Sequence, residues 1–111
     1  MNVIVYGTKK CAETRRAERW LKERRIPFQF RDVQDKPLTA NEIKAMAAGR
    51  GALSLIDEGS KRFIARGLGF MEYDPAEELE KDPALLATPV IRLDSKYFVR
   101  PDLSELPLGR S

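Results

Sequence analysis

The chain has no histidine and only one cysteine among its 111 residues. The absence of histidine excludes Ser-His-Asp and Cys-His catalysis and removes most transition-metal sites. A single cysteine excludes an internal disulfide framework and any zinc site built from several cysteines. We therefore expect no bound metal, and a reactive cysteine would have to be activated by backbone dipoles and cationic side chains.

Long hydrophobic runs are also missing, and the first residues have a strand pattern rather than that of a signal peptide. We therefore expect a cytoplasmic protein with no membrane partner. The net charge of +3 favours small anions or acidic partners. No basic stripe with interleaved aromatic residues is visible, so we expect no direct contact with nucleic acid.

Cys11 stands where an apolar run and a short polar turn give way to a helical pattern. Lys9 and Lys10 precede it directly. Free N–H groups at a helix start and nearby cations stabilise a thiolate, the reactive form of cysteine. Cys11 is thus a candidate nucleophile, and the alternative is a buried and inert cysteine.

The remaining pattern is a strand, a helix and a strand, then short helices, then a hairpin. Predicted strands cover residues 2–6, 28–33, 89–93 and 96–99, and predicted helices cover 12–24, short segments within 39–82, and a turn in 101–106. This order predicts an α/β, thioredoxin-like (glutaredoxin-like) domain with a mixed four-stranded sheet. We expect one domain, 1–111, with a helical insertion at about 39–82.

Thr88 and Pro89 come directly before the third predicted strand. Thioredoxin-like folds usually place a cis-proline there, facing the reactive cysteine. The fold therefore predicts a cis Thr88–Pro89 bond. Its main-chain groups would hydrogen-bond the cysteinyl part of a bound thiol peptide.

The run at 6–15 and the spacing of Cys11 and Arg15 resemble the active-site loop of the glutaredoxin-linked arsenate reductases, the ArsC family. That family includes Spx, a transcriptional regulator, and small glutathione-binding relatives. The similarity covers nearly the whole chain, through 17–33, 39–43 and 83–101. The chain is thus identified as resembling the ArsC/Spx family, and most of all its small members.

The resemblance implies a thiol mechanism with no bound cofactor. The cysteine attacks an oxyanion such as arsenate, glutathione resolves the adduct as co-substrate, and glutaredoxin reduces the mixed disulfide. By this resemblance Cys11 is the nucleophile, Arg15 stabilises its thiolate, and Arg100 is one of three oxyanion-binding arginines. The other two positions match Thr88 and the neighbourhood of Asp57, with Lys61 and Arg62 close by. The oxyanion set is therefore incomplete.

The expected thiol-binding residues are Lys9, Lys10, Thr88, Pro89 and Arg100. The two lysines either attract carboxylates of the ligand or form a solvated turn. Two functions stay open: a glutathione-linked thiol reductase, and a regulatory protein of Spx type whose partner would be RNA polymerase. Spx proteins usually carry a CxxC pair, and Thr14 occupies the second cysteine position here.

Overall fold

The chain divides into two compact units in a computed structural model that describes residues 2–108. Unit 2 is Val33–Ala87, and unit 1 is formed by the residues on either side of it. The helical insertion predicted at about 39–82 falls within unit 2. That the chain folds as one domain stays a prediction.

Unit 1 contains a four-stranded sheet. Its strands are β1 (Val3–Gly7), β2 (Gln29–Asp32), β3 (Val90–Leu93) and β4 (Lys96–Val99). Their order is β2-β1-β3-β4, with β1 and β2 parallel and β3 antiparallel to both β1 and β4. This mixed order confirms the predicted thioredoxin-like sheet. The antiparallel hairpin follows from the two-residue turn at Asp94 and Ser95, where Asp94 adopts a left-handed φ of 56°.

Helix α1 (Ala12–Glu23) packs on one face of this sheet because its apolar residues recur at helical spacing. Ala17 and Leu21 are fully buried in the core of unit 1. Trp20 is half-buried against that core, and the guanidinium of Arg24 lies 4.0 Å from the centre of its ring. The buried members of this core are Val3, Val5, Ala17, Leu21, Ile91, Leu93 and Leu106.

Unit 2 contains α2 (Ala40–Ala47), α3 (Lys61–Ala65) and α4 (Pro75–Lys81). Thr39 and Glu42 form the predicted capping box at the start of α2. Asp74 caps α4, as its position before Pro75 predicts.

Two predicted helical segments are shorter than expected. The one predicted near 53–57 is a 3-10 turn, Ala52–Leu55. It ends there because Leu55 and Asp57 exchange backbone hydrogen bonds with the 85–87 segment, in a strand-like pairing. The segment predicted at 101–106 is a single 3-10 turn, Leu103–Glu105, capped by Asp102. Among residues 2–108 no helix is both long and apolar enough to cross a bilayer.

Candidate active site

Cys11 lies between the end of β1 and the start of α1, at the N-cap of the helix. Its backbone N–H donates to the carbonyl of Thr8 at 3.2 Å, and its own carbonyl accepts from Arg15 N at 3.1 Å. Its side chain makes no capping bond, and the residue is half-buried. The turn after β1 therefore places the sulfur beside the backbone N–H groups of the first helical turn.

Thr88 is the side chain that contacts the sulfur most directly. Its hydroxyl donates to Cys11 Sγ at 3.2 Å, while the thiol faces the Thr88 carbonyl at 3.8 Å. Thr88 is buried, and its bond to Pro89 is cis, which confirms that prediction. The position where the resemblance implies an arginine thus carries a hydroxyl that hydrogen-bonds the nucleophile.

Arg100 is joined to the same loop by two hydrogen bonds. Its backbone N–H donates to the carbonyl of Pro89 at 2.9 Å, and its Nε donates to the carbonyl of Thr88 at 2.9 Å. Arg100 directly follows β4 and adopts a left-handed φ of 45°. The structure therefore places Cys11, Thr88, Pro89 and Arg100 together, and their roles stay predictions.

Arg15, Lys9 and Lys10 flank Cys11 along the chain. The Arg15 guanidinium donates through Nη1 to the carbonyl of Lys9 at 3.3 Å, so in this conformation it closes the turn before Cys11. Lys9, Lys10 and Arg15 are all exposed. They supply positive charge near the sulfur but no hydrogen bond to it within the described part of the chain.

The pKa of the Cys11 thiol lies below its ordinary value. Partial burial is the largest single effect and raises the pKa, whereas hydrogen bonds from the side chains of Thr14 and Thr88 lower it. The backbone N–H groups of Thr14 and Glu13, in the first turn of α1, lower the pKa further. The local arrangement therefore favours a thiolate at Cys11.

Thr14 is a site residue that the sequence reasoning missed. It is fully buried in the first turn of α1, and its hydroxyl is one of the groups that lower the pKa of Cys11. A Cβ atom on Gly7 would overlap the Thr14 side chain, so the glycine makes room for it. The signal that could have found Thr14 is its position three residues after a cysteine at a helix N-cap, on the buried face of α1.

A pocket of about 360 Å³ opens beside Pro89 and Arg100. Its lining combines two arginines and two carboxylates with four apolar residues. Cys11 is not among the residues that line it. Its lining residues are Glu13, Arg16, Ala17, Pro89, Arg100, Pro101, Asp102 and Leu103.

The sequence is similar to a glutaredoxin family model and to Spx proteins. A family model described as Glutaredoxin matches residues 3–52. Global transcriptional regulator Spx 1 of Oceanobacillus iheyensis is 32% identical, over 85% of this chain and 75% of its own length. Spx of Bacillus subtilis is also 32% identical, with the same shares of the two chains.

Solved structures share the fold. The YffB protein superposes with a TM-score of 0.80 and 20% identity, over 88% of this chain and 90% of its own. An arsenate reductase from Vibrio cholerae superposes with a TM-score of 0.75 and 16% identity, over 87% of each chain. At these identities the likeness is one of fold alone.

Proposed function

The chain belongs to the ArsC/Spx family of thioredoxin-fold proteins, and from that premise we propose that it is a glutathione-linked thiol oxidoreductase with Cys11 as its nucleophile. The observation that carries the proposal is the contact between Cys11 Sγ and the Thr88 hydroxyl, 3.2 Å apart at a helix N-terminus. A hydroxyl donor and free N–H groups around one sulfur favour the thiolate.

The reaction is thiol–disulfide exchange through a single protein cysteine. The Cys11 thiolate attacks the glutathionyl sulfur of a mixed disulfide, forms Cys11–S–S–glutathione and releases the substrate as a thiolate. A second glutathione thiolate then attacks that bond, releasing glutathione disulfide and the Cys11 thiolate. The chain has no other cysteine, so the resolving thiol must come from outside. Glutathione is thus a co-substrate, and glutaredoxin is the proposed partner that would serve the same step.

The Thr88–Pro89 segment and the adjoining pocket support a peptide thiol as ligand. Arg16 and Arg100 would pair with the carboxylates of glutathione, and Glu13 and Asp102 would pair with its ammonium group. Lys9 and Lys10 would add long-range attraction for an anion. A zwitterionic peptide matches this mixture of charges better than a purely anionic ligand does.

Arsenate is the weaker substrate candidate. Of the three arginines that the family resemblance implies for the oxyanion, only Arg100 has a counterpart, and its Nε donates to the Thr88 carbonyl. Each lost charge-assisted contact in an anion site typically costs about 1.5–3 kcal/mol. We therefore expect thiol exchange to outpace arsenate reduction.

The test is a turnover assay with a glutathione mixed disulfide and excess glutathione. Cys11→Ser should abolish turnover above the uncatalysed rate, whereas Ser95→Ala, on the exposed hairpin turn, should not change it. A parallel glutathione- and glutaredoxin-coupled assay with arsenate should show little activity. If the wild type does not exceed the uncatalysed rate with any glutathione mixed disulfide, the proposal that the protein is an enzyme is wrong.

A regulatory function is the second candidate because the curated relatives are named as global transcriptional regulators. In that case Cys11 would sense redox state by forming a mixed disulfide with glutathione. Thr14 occupies the position of a second cysteine, so an internal disulfide switch is unavailable to this chain. Stable recovery of RNA polymerase from cytoplasmic extract on immobilised protein would favour this function, and its absence would count against it.

A further inference from the structure

The two units differ in the sign of their charge. Unit 1 contains 13 lysines and arginines against 7 acidic residues, whereas unit 2 contains 7 against 10. The net charges are therefore +6 and −3, although the whole chain is only at +3. The positive excess belongs to the unit that carries Cys11.

Part of this excess lies on one exposed face of α1 and in the turn before it, and we call this set of residues the basic stripe. It consists of Arg15, Arg19 and Lys22 on α1 together with Lys9 and Lys10 in the turn before it. The three helical positions are separated by four and three residues, so they share one exposed face. The hydrogen bond from Arg15 to the Lys9 carbonyl connects the turn to that face.

The stripe residues form no ion pair with a carboxylate in the part of the chain that the structure describes. Glu13 pairs with Arg16 at 3.7 Å and Glu23 with Arg24 at 3.9 Å, both beside it. Within residues 2–108, no carboxylate lies within ion-pair distance of Lys9, Lys10 or any of the three stripe residues on α1. Unpaired surface charges of one sign attract an oppositely charged partner over about one Debye length.

The stripe is longer than a small thiol requires. Lys22 is 11 residues beyond Cys11, or about 16 Å along the helix. We propose that the basic stripe docks an acidic segment of a protein and presents a disulfide of that protein to Cys11. The inference rests on the proposed function, because it names the class of substrate that Cys11 attacks.

Nucleic acid fits this surface less well than an acidic protein. Single-stranded nucleic acid is usually held by exposed aromatic rings as well as cations. The one tryptophan of α1 is half-buried and covered by Arg24.

The experiment uses synthetic peptides whose single cysteine is activated as a 2-thiopyridyl disulfide. The Cys11 thiolate attacks the peptide sulfur, a new S–S bond forms, and pyridine-2-thione is released and measured by its absorbance. Three matched peptides carry glutamates, serines or lysines around the cysteine. We expect the glutamate peptide to react about tenfold faster than the serine peptide at low ionic strength, and the advantage to vanish at about 1 M salt.

Variants assign the effect to the stripe. Arg19→Glu combined with Lys22→Glu should reduce the ratio of the glutamate-peptide rate to the serine-peptide rate at least threefold. The control is Lys96→Glu. Lys96 lies at the start of β4, at the end of the sheet remote from Cys11, so this substitution should leave the ratio close to that of the wild type. Circular dichroism establishes that each variant is folded.

Binding without chemistry is measured by fluorescence anisotropy on Cys11→Ser with a labelled glutamate peptide. If none of the three activated peptides reacts but the labelled glutamate peptide still binds, the proposed function fails and the docking surface stands. Equal rates for all three peptides, or an unchanged ratio in the double variant, would overturn the inference. Tighter binding of a single-stranded oligonucleotide of equal charge would assign the stripe to nucleic acid, and a salt-sensitive dimer in sedimentation would assign it to a second copy.

Discussion

Gly7 and Thr14 are packed so closely that a Cβ atom on Gly7 would overlap the Thr14 side chain. Gly7 is the last residue of β1, and Thr14 lies in the first turn of α1. Between them the chain turns and Cys11 is positioned. The glycine at this position is thus explained by the threonine that faces it, whose hydroxyl lowers the pKa of Cys11.

This contact predicts that Gly7→Ala destabilises the protein. The added methyl overpacks a buried site, which typically costs about 1–3 kcal/mol of unfolding free energy. Gly7→Ala combined with Thr14→Ala should recover part of that loss, because alanine removes the hydroxyl and methyl groups of Thr14 but keeps its Cβ atom, which lies 2.9 Å from the added methyl. Urea unfolding of the two single variants and the double variant measures the coupling. Equal stability of Gly7→Ala and the wild type would contradict the contact.

Thr88→Val should raise the pKa of Cys11, because it removes a hydroxyl that donates to the sulfur. Thr88→Ser retains the donor and serves as the control, with a pKa close to that of the wild type. The rate of alkylation by iodoacetamide as a function of pH measures the pKa directly. A thiol pKa in the wild type at or above that of free cysteine would also remove the thiol mechanism.

The lowered pKa of Cys11 also predicts how stability depends on pH. Between the folded and unfolded pKa values, the unfolded chain binds more protons at Cys11 than the folded chain does. Stability therefore rises with pH across this window, is fully present above the unfolded value of about 8.5, and is lost as pH falls through the folded value. Cys11→Ser should flatten this rise. Urea unfolding at several pH values measures it, and identical pH profiles would contradict the prediction.

Arg100 combines a left-handed backbone with a side chain that bonds the Thr88 carbonyl. Glycine tolerates this backbone whereas alanine does not, so Arg100→Gly should be about 1 kcal/mol more stable than Arg100→Ala. Both variants remove the guanidinium and should raise the KM for glutathione. Chemical unfolding and steady-state kinetics separate the two effects. Equal stability of the two variants would show that the backbone at this position carries no strain.

The sheet, α1 and the helix starts could be predicted from local patterns. Buried strands such as β1 are short and β-branched, and the Thr39 and Glu42 capping box is a purely local signal. The cis bond at Pro89 depended on recognising the fold rather than on the residues alone. The 3-10 turn at Ala52–Leu55 could not be predicted, because a pairing with residues 30 positions later ends it.

The candidate site was only partly predictable for a related reason. The reactivity of Cys11 could be predicted from its position at the start of a helix. The presence of Arg100 in the site could be predicted from its place after the hairpin. The buried hydroxyl of Thr14 becomes meaningful only when Gly7 is known to lie against it. The hydrogen bond of Arg15 was also unpredictable, because a long cation at a helix surface has several acceptors within reach and only the folded turn decides between them.

Trp20, packed on the core of unit 1 beneath Arg24, is the only tryptophan in the chain. Its fluorescence emission therefore reports on unit 1 alone, while far-ultraviolet circular dichroism reports on the helices of both units, α1 in unit 1 and α2, α3 and α4 in unit 2. Coincident denaturation curves from the two signals would indicate one cooperative transition, and separate midpoints would indicate two. The position of a single indole thus provides a native spectroscopic test of the single-domain prediction, with no label attached.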